Sequence, residues 1–281
     1  MTGLIERLVP DELWTLLRRV VPPTEVIRAQ GGGRRRAGDR ACLAGIVFVA
    51  TSGCTWRQLP PVFGPAWPTV YRRFAQWSRE RVWARLHRAI LDELGARGEL
   101  DWSRCAIDSV SVRAAKRGPL TGPDPTDRGK PGSKIHLITD RNGVPLSLDI
   151  SGANTHDSLG LQPLVRGIPP IRSRRGPRRR RPAKLHADKG YDYNHLRKWL
   201  RERRNRHRTA RKGIESSKRL GRHRWVVERT VSWLAGCRRL HRRYERKAEH
   251  FLAFVGIAAA LISYRRLAGQ HSRLSANRRA E

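Results

Sequence analysis

Apolar and polar residues follow a helical period through roughly the first hundred positions. The pattern predicts helices over 11–21, 39–52, about 69–78 and about 80–95. Asp11 is the predicted N-cap of the first of these helices, and a Pro-Pro pair ends it. Two proline-rich turns, WRQLPP and FGPAWP, separate the second helix from the third. These features indicate an all-helical domain over residues 1–98.

Beyond residue 100 the pattern changes to the alternation typical of strands. It predicts strands over 105–112, 134–140, 145–151 and 183–188, and helices over 158–165, 193–204, 222–244 and 248–267. Asn142-Gly143 is a strong hairpin-turn signal between the second and third strands. The order of elements indicates an α/β domain with a mixed sheet over 99–269, with an exposed, low-complexity basic insertion at 169–182 and a basic tail at 270–281.

Glu228 is the single acidic residue of the predicted helix 222–244. It lies at the edge of an apolar stripe, whose members are Val227, Val231, Leu234 and Ala235. Arg224 precedes it by one helical turn, so a surface ion pair worth a few tenths of a kcal/mol is one interpretation. A functional site that requires the negative charge is the other.

The predicted helix 69–78 combines an apolar side with basic and amide groups. Tyr71, Arg72, Arg73 and Gln76 accompany Phe74 and Trp77. Such a helix suits DNA recognition in a helix-turn-helix. The alternative is a basic helix that only faces solvent.

The charge of the chain indicates a polyanionic partner. There are 59 Lys and Arg residues against 24 Asp and Glu, which gives a net charge of +35 and a pI near 11.7. Basic residues spread along the whole chain favour nucleic acid, because each neutralised phosphate releases counterions. A membrane surface is the weaker candidate, since no basic segment accompanies a clean lipid-facing helix.

The cysteines and apolar runs bear on the cellular compartment. Four cysteines lie far apart and form no C-x-x-C pair, which argues against a zinc knuckle and a disulfide framework. The apolar run 251–262 is shorter than a membrane span, and the chain shows no signal-peptide pattern. We therefore expect a soluble cytoplasmic protein.

Three carboxylates occupy positions suited to chemistry. Asp108 is the only charged residue of its predicted strand, Asp188 ends another strand at a DKGYD turn, and Glu228 comes from a helix. Carboxylates on separate elements can hold a pair of Mg²⁺ ions, which prefer oxygen ligands. Taken singly, Asp108 is nearly as well explained as a buried structural residue, and Asp188 is better explained as a turn residue. The joint pattern favours the metal site.

Four ordered motifs make the chain resemble a known family. AIDSVSVRAAKRG, GSKIHLITDRNGVPL with ISGANTHDS, LHADKGYD, and RHRWVVERTVSWL followed by RRYERKAEHFLAF resemble bacterial insertion-sequence transposases of the DDE type. The similarity is to the family named for insertion sequence five, within the assembly named for insertion sequence four. It extends to LAGIVFVATSGCTWRQLPPVFGPAWPTVYRRFAQW and so covers nearly the whole chain.

The resemblance implies a ribonuclease H-like catalytic domain behind the helical DNA-binding domain. Asp108, Asp188 and Glu228 would form the metal-binding triad, with two Mg²⁺ ions or Mn²⁺ in their place. The assembly's signature around its glutamate is matched by Arg224 and Glu228, whereas Gly221 and Ala235 stand where Tyr and Lys are expected. Arg224, Lys189 and Lys134 are expected to contact DNA together with Tyr71, Arg72 and Arg73, and His136 and Asp157 to support the site.

The function that follows is transposition. The expected enzyme binds terminal inverted repeats, cleaves DNA strands and joins the freed 3′-hydroxyls to target DNA. A Mg²⁺-dependent nuclease without strand transfer, and a non-catalytic or decayed nucleic-acid-binding protein, are the alternatives. Double-stranded DNA is the expected partner, in a homodimer or larger assembly because two ends must be paired, within the cytoplasm at the nucleoid and without a membrane.

Overall fold

The computed structural model describes residues 3–23, 36–210 and 217–277, with side chains described at all of these positions except 217–224 and 270–277. Within these ranges, nine α-helices surround one mixed sheet of six strands. The α/β architecture with a preceding helical part agrees with the fold class expected from the sequence.

Five helices precede the sheet. They are α1 (Leu4–Leu8), α2 (Asp11–Arg18), α3 (Asp39–Ser52), α4 (Trp67–Arg79) and α5 (Val82–Ala96). Pro68 lies in the first turn of α4, where a missing backbone N–H costs nothing. Helix α3 is apolar around most of its circumference and is correspondingly buried.

The sheet has antiparallel and parallel halves. Its strands are β1 (Cys105–Arg113), β2 (Gly122–Pro123), β3 (Pro131–Asp140), β4 (Pro145–Gly152), β5 (Lys184–Ala187) and β6 (Arg206–Thr209). The order β4-β3-β1-β5-β6 is antiparallel from β4 to β1 and parallel from β1 to β6, and β2 pairs with the start of β3. This places β1 at the junction of the two halves.

Four further helices complete the fold: α6 (Ser158–Gly167), α7 (Asn194–Glu202), α8 (Ser217–Ala235) and α9 (Ala248–Asn277). Helix α9 packs against α3, α4 and α5 on one side and against α8 and β4 on another. Phe254 of α9 stacks on Phe74 of α4 with ring centroids 4.7 Å apart. One continuous hydrophobic core therefore joins the N-terminal helices to the sheet, and the domain boundary near residue 98 stays a prediction.

Helix α9 contains the most apolar long segment among the described residues. By length and composition alone, Ala248–Gly269 is long and apolar enough to cross a bilayer, although the sequence pattern suggested too short a run. In the fold, 78% of its most apolar window is buried by protein. A helix that is apolar on all sides and covered by its neighbours is typical of a protein core.

Helix α8 differs from its predicted extent. Helix α8 ends at Ala235, nine residues before the predicted position 244, and the chain turns through a short 3₁₀ segment at 238–240. The His241 ring lies 2.7 Å from the Ala235 carbonyl oxygen and satisfies one of the last carbonyls. Ala235, predicted to face the core, is exposed as a result.

The N-terminal helix α2 and strand β6 give further corrections. Asp11 is the first residue of α2, and Pro10 occupies the N-cap position. Asp11 pairs with Arg40 at 2.7 Å, and its charge suits the positive end of the helix. The stretch 206–209 was not expected to be a strand, because it carries basic residues without alternation, but it pairs with β5 in parallel.

The basic insertion 169–182 is exposed over most of its length, as expected, and it is folded into a closed loop. Ile171 and Arg179 exchange backbone hydrogen bonds of 2.8 and 2.7 Å, which close it into a loop. Asp92 of α5 accepts hydrogen bonds from the Arg172 backbone N–H and the Arg178 guanidinium, each at 2.8 Å. These contacts dock the loop onto the helical part of the protein.

A buried histidine links α5 to the sheet. His87 Nε2 lies 3.0 Å from the Pro145 carbonyl oxygen, so a neutral ring can donate this hydrogen bond. Burial lowers the pKa of His87 to about 4. The hydrogen bond with the Pro145 carbonyl oxygen acts in the opposite direction and offsets only part of this shift. The folded protein therefore keeps this ring neutral at neutral pH.

The titration of His87 predicts a specific pH dependence of stability. Because its pKa is lower in the folded than in the unfolded chain, its contribution is complete above about pH 6.5 and is lost as pH falls towards 4. We expect the free energy of unfolding of the wild type to fall by about 3 kcal/mol more over this range than that of His87→Gln. Urea titrations at several pH values measure the difference, and parallel curves would disprove it.

Candidate active site

Two of the predicted carboxylates meet at the junction of β1 and β5. These parallel strands pair Cys105 with Leu185 and Ala106 with His186. Continued by two residues, this register sets Asp108 opposite Asp188, and both carboxylates lie near enough to Tyr191 to raise the pKa of its phenol. The carboxyl ends of parallel strands are where α/β folds collect their ligands.

Local backbone contacts hold both side chains. Asp108 Oδ1 accepts a hydrogen bond of 2.9 Å from the N–H of Ser109. Asp188 caps a short 3₁₀ turn at 189–191, and its Oδ1 accepts a 2.8 Å hydrogen bond from Gly190 N–H. Both carboxylates are half-buried.

Tyr191 is a residue of the site that the sequence did not single out. Burial, together with the negative charges of Asp157, Asp108 and Asp188, raises its pKa far above the usual range. The phenol is therefore neutral and lies among three acidic side chains. Its place in the DKGYD turn was the available sequence signal.

A buried polar network supports β1 from the neighbouring strands. Lys134 Nζ donates hydrogen bonds of 2.8 Å to Asp157 Oδ1 and to the Thr155 carbonyl oxygen. Burial alone would raise the pKa of Asp157, but hydrogen bonds from Lys134 and Ser109 and the positive charge of Lys134 lower it overall. Lys134 is half-buried in this pair, and its predicted contact with DNA stays a prediction.

His136 lies in the same network. It pairs with Ser109 across β1 and β3, and its Nε2 is 2.8 Å from Ser151 Oγ. A Cβ at Gly160 of α6 would come within 2.8 Å of the ring, so the helix requires glycine there to approach the strand. Burial lowers the pKa of His136, although the negative charges of Asp157 and Asp149 act to raise it. The ring supports the site as a neutral packing and hydrogen-bonding group.

Helix α8 is anchored to the hairpin turn between β3 and β4. Thr230 Oγ1 donates a 2.7 Å hydrogen bond to the Gly143 carbonyl oxygen, and Arg229 Nη2 donates one of 2.8 Å to that of Asn142. Gly143 has φ +86°, and a Cβ there would meet Thr230 Oγ1 at 2.8 Å. The turn therefore fixes the helix immediately beside Glu228.

Glu228 is exposed on α8, a helix that packs against β1, β3 and β5. No group of three His, Cys, Asp or Glu residues in the described part of the chain is close enough to hold a metal ion. The structure thus brings Asp108 and Asp188 together without closing Glu228 onto them. Their donor chemistry nevertheless fits Mg²⁺, which is commonly bound by one or two carboxylates with water and substrate phosphates.

An aromatic ladder lies on α8 next to Glu228. The Arg229 guanidinium lies 4.6 Å from the ring centroids of both Trp225 and Trp233. The two indoles are 48% and 40% exposed. Their spacing of four residues on either side of the arginine was the sequence signal for this ladder.

The three residues of α4 that are predicted to contact DNA differ in their exposure to solvent. Arg72 is exposed, whereas Tyr71 is half-buried against Trp56. Arg73 is buried and forms an ion pair with Asp39 of α3, which corrects its assignment to a DNA-facing surface. Desolvation, with the nearby positive charge of Arg36, lowers its pKa to about 10.

The remaining two predicted DNA contacts lie close to the acids in sequence. Lys189 follows Asp188 directly and is half-buried. The side chain of Arg224 lies outside the described residues, so its expected phosphate contact and its alternative pairing with Glu228 stay predictions.

A mixed sheet that carries Asp108 within β1 and Asp188 directly after the parallel strand β5, in a strongly basic chain, is the arrangement expected of an α/β enzyme that acts on phosphodiesters. A family model described as "Transposase DDE domain" matches residues 101–263, more than half of the chain. The chain belongs to this family and is therefore an enzyme, a DDE transposase. A second model, described as "Putative transposase of IS4/5 family", matches residues 9–87. Both matches confirm the resemblance drawn from the motifs.

Individual relatives agree with this assignment. "Putative transposase for insertion sequence element IS402" from Burkholderia cepacia is 46% identical over 149 residues, 53% of this chain and 71% of that protein. "Insertion element IS402 uncharacterized 16.2 kDa protein" from the same organism is 40% identical over 119 residues, 42% and 81% of the two chains.

A solved structure shares the fold. The cryo-EM structure of the piggyBac transposase synaptic complex with hairpin DNA aligns with 95% of this chain and 75% of its own, with a TM-score of 0.51 and 10% identity. The likeness supports the ribonuclease H-like interpretation of the sheet. Membership in a DDE family also implies a divalent-cation cofactor.

The anchoring of α8 predicts a positioning role for Thr230. Thr230→Val keeps the shape of the side chain but leaves the buried Gly143 carbonyl oxygen without its partner, at a cost of about 1–2 kcal/mol in stability. Because Glu228 lies two residues away, we expect DNA cleavage to fall by about ten- to a hundredfold with DNA affinity unchanged. Single-turnover cleavage under conditions where the variant is folded tests this.

Thr230→Ser is the matched control, since it retains the hydroxyl and should restore most of the cleavage rate. Equal rates for the valine and serine variants would show that the hydrogen bond to the turn does not position the helix for catalysis.

Proposed function

We propose that this transposase binds the terminal inverted repeats of its element, hydrolyses phosphodiester bonds to free 3′-hydroxyls and joins these ends to target DNA. The observation that carries the proposal is the meeting of Asp108 and Asp188 at the β1–β5 junction of a chain with net charge +35. The family match to a DDE transposase domain supports it.

Asp108 and Asp188 would hold the cation, with Glu228 contributing from α8. When bound, two Mg²⁺ ions, or Mn²⁺ in their place, supply charge that activates the attacking oxygen and neutralises the leaving oxygen. The protein's own part is to fix the donors. Ser109 and Gly190 orient the aspartates through their backbone N–H groups.

The neutral phenol of Tyr191 fills the space behind the carboxylates without adding charge. The Lys134–Asp157 pair, part-buried at 2.8 Å, holds β3 against the segment that precedes α6. These residues are proposed to position the site rather than to contact the reacting atoms.

The DNA is proposed to be bound through its phosphates by Arg72, Lys189 and Arg224. The N-terminal helices would recognise the repeats, as in other helical DNA-binding domains. Two ends must be held together for joining, so the active assembly would be a homodimer or larger. An enzyme acting on DNA belongs in the cytoplasm, and we place it at the nucleoid.

Carboxylate substitutions test the proposed triad. Asp108→Asn, Asp188→Asn and Glu228→Gln should each lower cleavage at the element's ends by about a thousandfold or more, equivalent to ~4 kcal/mol of transition-state stabilisation. Binding to the ends should persist. The assay is nicking of a supercoiled plasmid that carries the ends, with Mg²⁺ or with EDTA.

Glu249→Gln is the control, because it removes one exposed carboxylate at the start of α9. Full activity of any one site variant would remove that residue from the triad. Metal-dependent nicking without joined products would favour the nuclease alternative, and binding without cleavage would favour a decayed copy.

Metal binding can be measured without DNA chemistry. A cation that binds only the folded protein raises its melting temperature. We expect Mg²⁺ or Mn²⁺ to raise the melting temperature of the wild type and to have less effect on Asp108→Asn and on Asp188→Asn. Identical metal responses in all three proteins would contradict the assignment of the aspartates as ligands.

A further inference from the structure

A deep basic groove lies where the folded insertion 169–182 meets the end of α7. It encloses about 660 Å³. Its lining consists of arginines with a few other side chains: Val165, Arg178, Arg179, Arg180, Arg181, Glu202, Arg203, Arg204 and Asn205. Six guanidinium groups thus share one concavity with a single carboxylate.

Four of these arginines make contacts within the protein. Arg178 is paired with Asp92 at 2.8 Å, and Arg180 donates a 2.9 Å hydrogen bond to the Arg166 carbonyl oxygen. Arg179 lies over the Trp102 ring at 5.7 Å, and Arg203 over the Trp199 ring at 5.0 Å. These contacts hold the loop in place on the rest of the protein.

Two of the arginines have no such role. Arg181 and Arg204 are exposed, and neither side chain makes a hydrogen bond, ion pair or ring contact with any residue that the structure describes. Arg204 also has φ +56°, a left-handed conformation that favours glycine after a helix end. An arginine kept at such a position, with its charge unused by the fold, points to an external anion.

The groove is separate from the carboxylates. Arg181 lies shortly before the start of β5, and Asn205 lies directly before the start of β6. Asp188, in contrast, comes directly after the last residue of β5. The four residues of β5 span about 13 Å, or roughly four base-pair steps of duplex. A phosphate held in the groove therefore cannot be the one that reacts at Asp108 and Asp188.

We propose that this arginine groove binds the phosphate backbone of duplex DNA at a second position, distant from the phosphodiester that reacts. The inference rests on the proposed function for the identity of the polyanion. An open concavity lined by guanidinium groups suits a continuous backbone, because Arg presents paired donors to phosphate oxygens. Arg181 and Arg204 would make the contacts, and the remaining arginines would hold the groove open and raise its potential.

The test is the salt dependence of DNA binding. In an Asp108→Asn background, which requires no cleavage, fluorescence anisotropy with a labelled duplex containing the element's end gives the affinity at several salt concentrations. Arg181→Ala/Arg204→Gly should flatten the slope of log affinity against log salt by about two, and should weaken binding about tenfold or more at 0.1 M salt. Glycine relieves the left-handed strain at 204, so this variant is expected to fold.

Two variants complete the design. Arg181→Lys/Arg204→Lys retains both charges and should keep the wild-type slope. Arg265→Ala/Arg266→Ala removes two exposed charges from α9, and should also leave the slope unchanged. Equal slopes for the groove variant and its Asp108→Asn parent would overturn the proposal, as would an equal loss in the α9 control. Failure of the proposed function would appear instead as absent cleavage by the protein with Asp108 intact, with the slope difference unchanged.

Discussion

The parallel pairing of β1 with β5 is the contact on which the site depends. It brings together residues from distant parts of the chain, and the antiparallel β3–β4 hairpin, α6 and the folded basic loop occupy the interval. Since side chains alternate along a strand, a slip of one residue would turn Asp108 away from Asp188. Cys105, Leu185 and Ala187, all buried, set the register by packing on the core.

Two neighbouring carboxylates repel each other, and nearby groups of the protein reduce this repulsion. Backbone N–H groups of Ser109 and Gly190 stabilise the charged forms. Behind them, Tyr191 stays neutral and Asp157 is matched by Lys134. Two neighbouring carboxylates within a protein of charge +35 offer the oxygen donors and the negative charge that a divalent cation would neutralise.

Structural features that depend on neighbouring residues could be predicted from the sequence, whereas features that depend on contacts between distant residues could not. The Asn142-Gly143 turn, the helical period of α3 to α5 and the strand around Asp108 were predictable because each depends on nearby residues. The pairing of Arg73 with Asp39 and of Lys134 with Asp157 could not be predicted because the partners are distant in sequence. The end of α8 and the strand β6 depend on contacts with His241 and β5 that periodicity does not encode. The roles of the three acids rest on their positions in the predicted elements and on the resemblance, and they remain predictions.

The closed base of the basic loop separates the charge of the surface from the geometry of the sheet. Ile171 and Arg179 join the two ends of the loop before β5 begins. Substitutions between them would change the number of positive charges on this surface while leaving β5, and with it Asp188, in place.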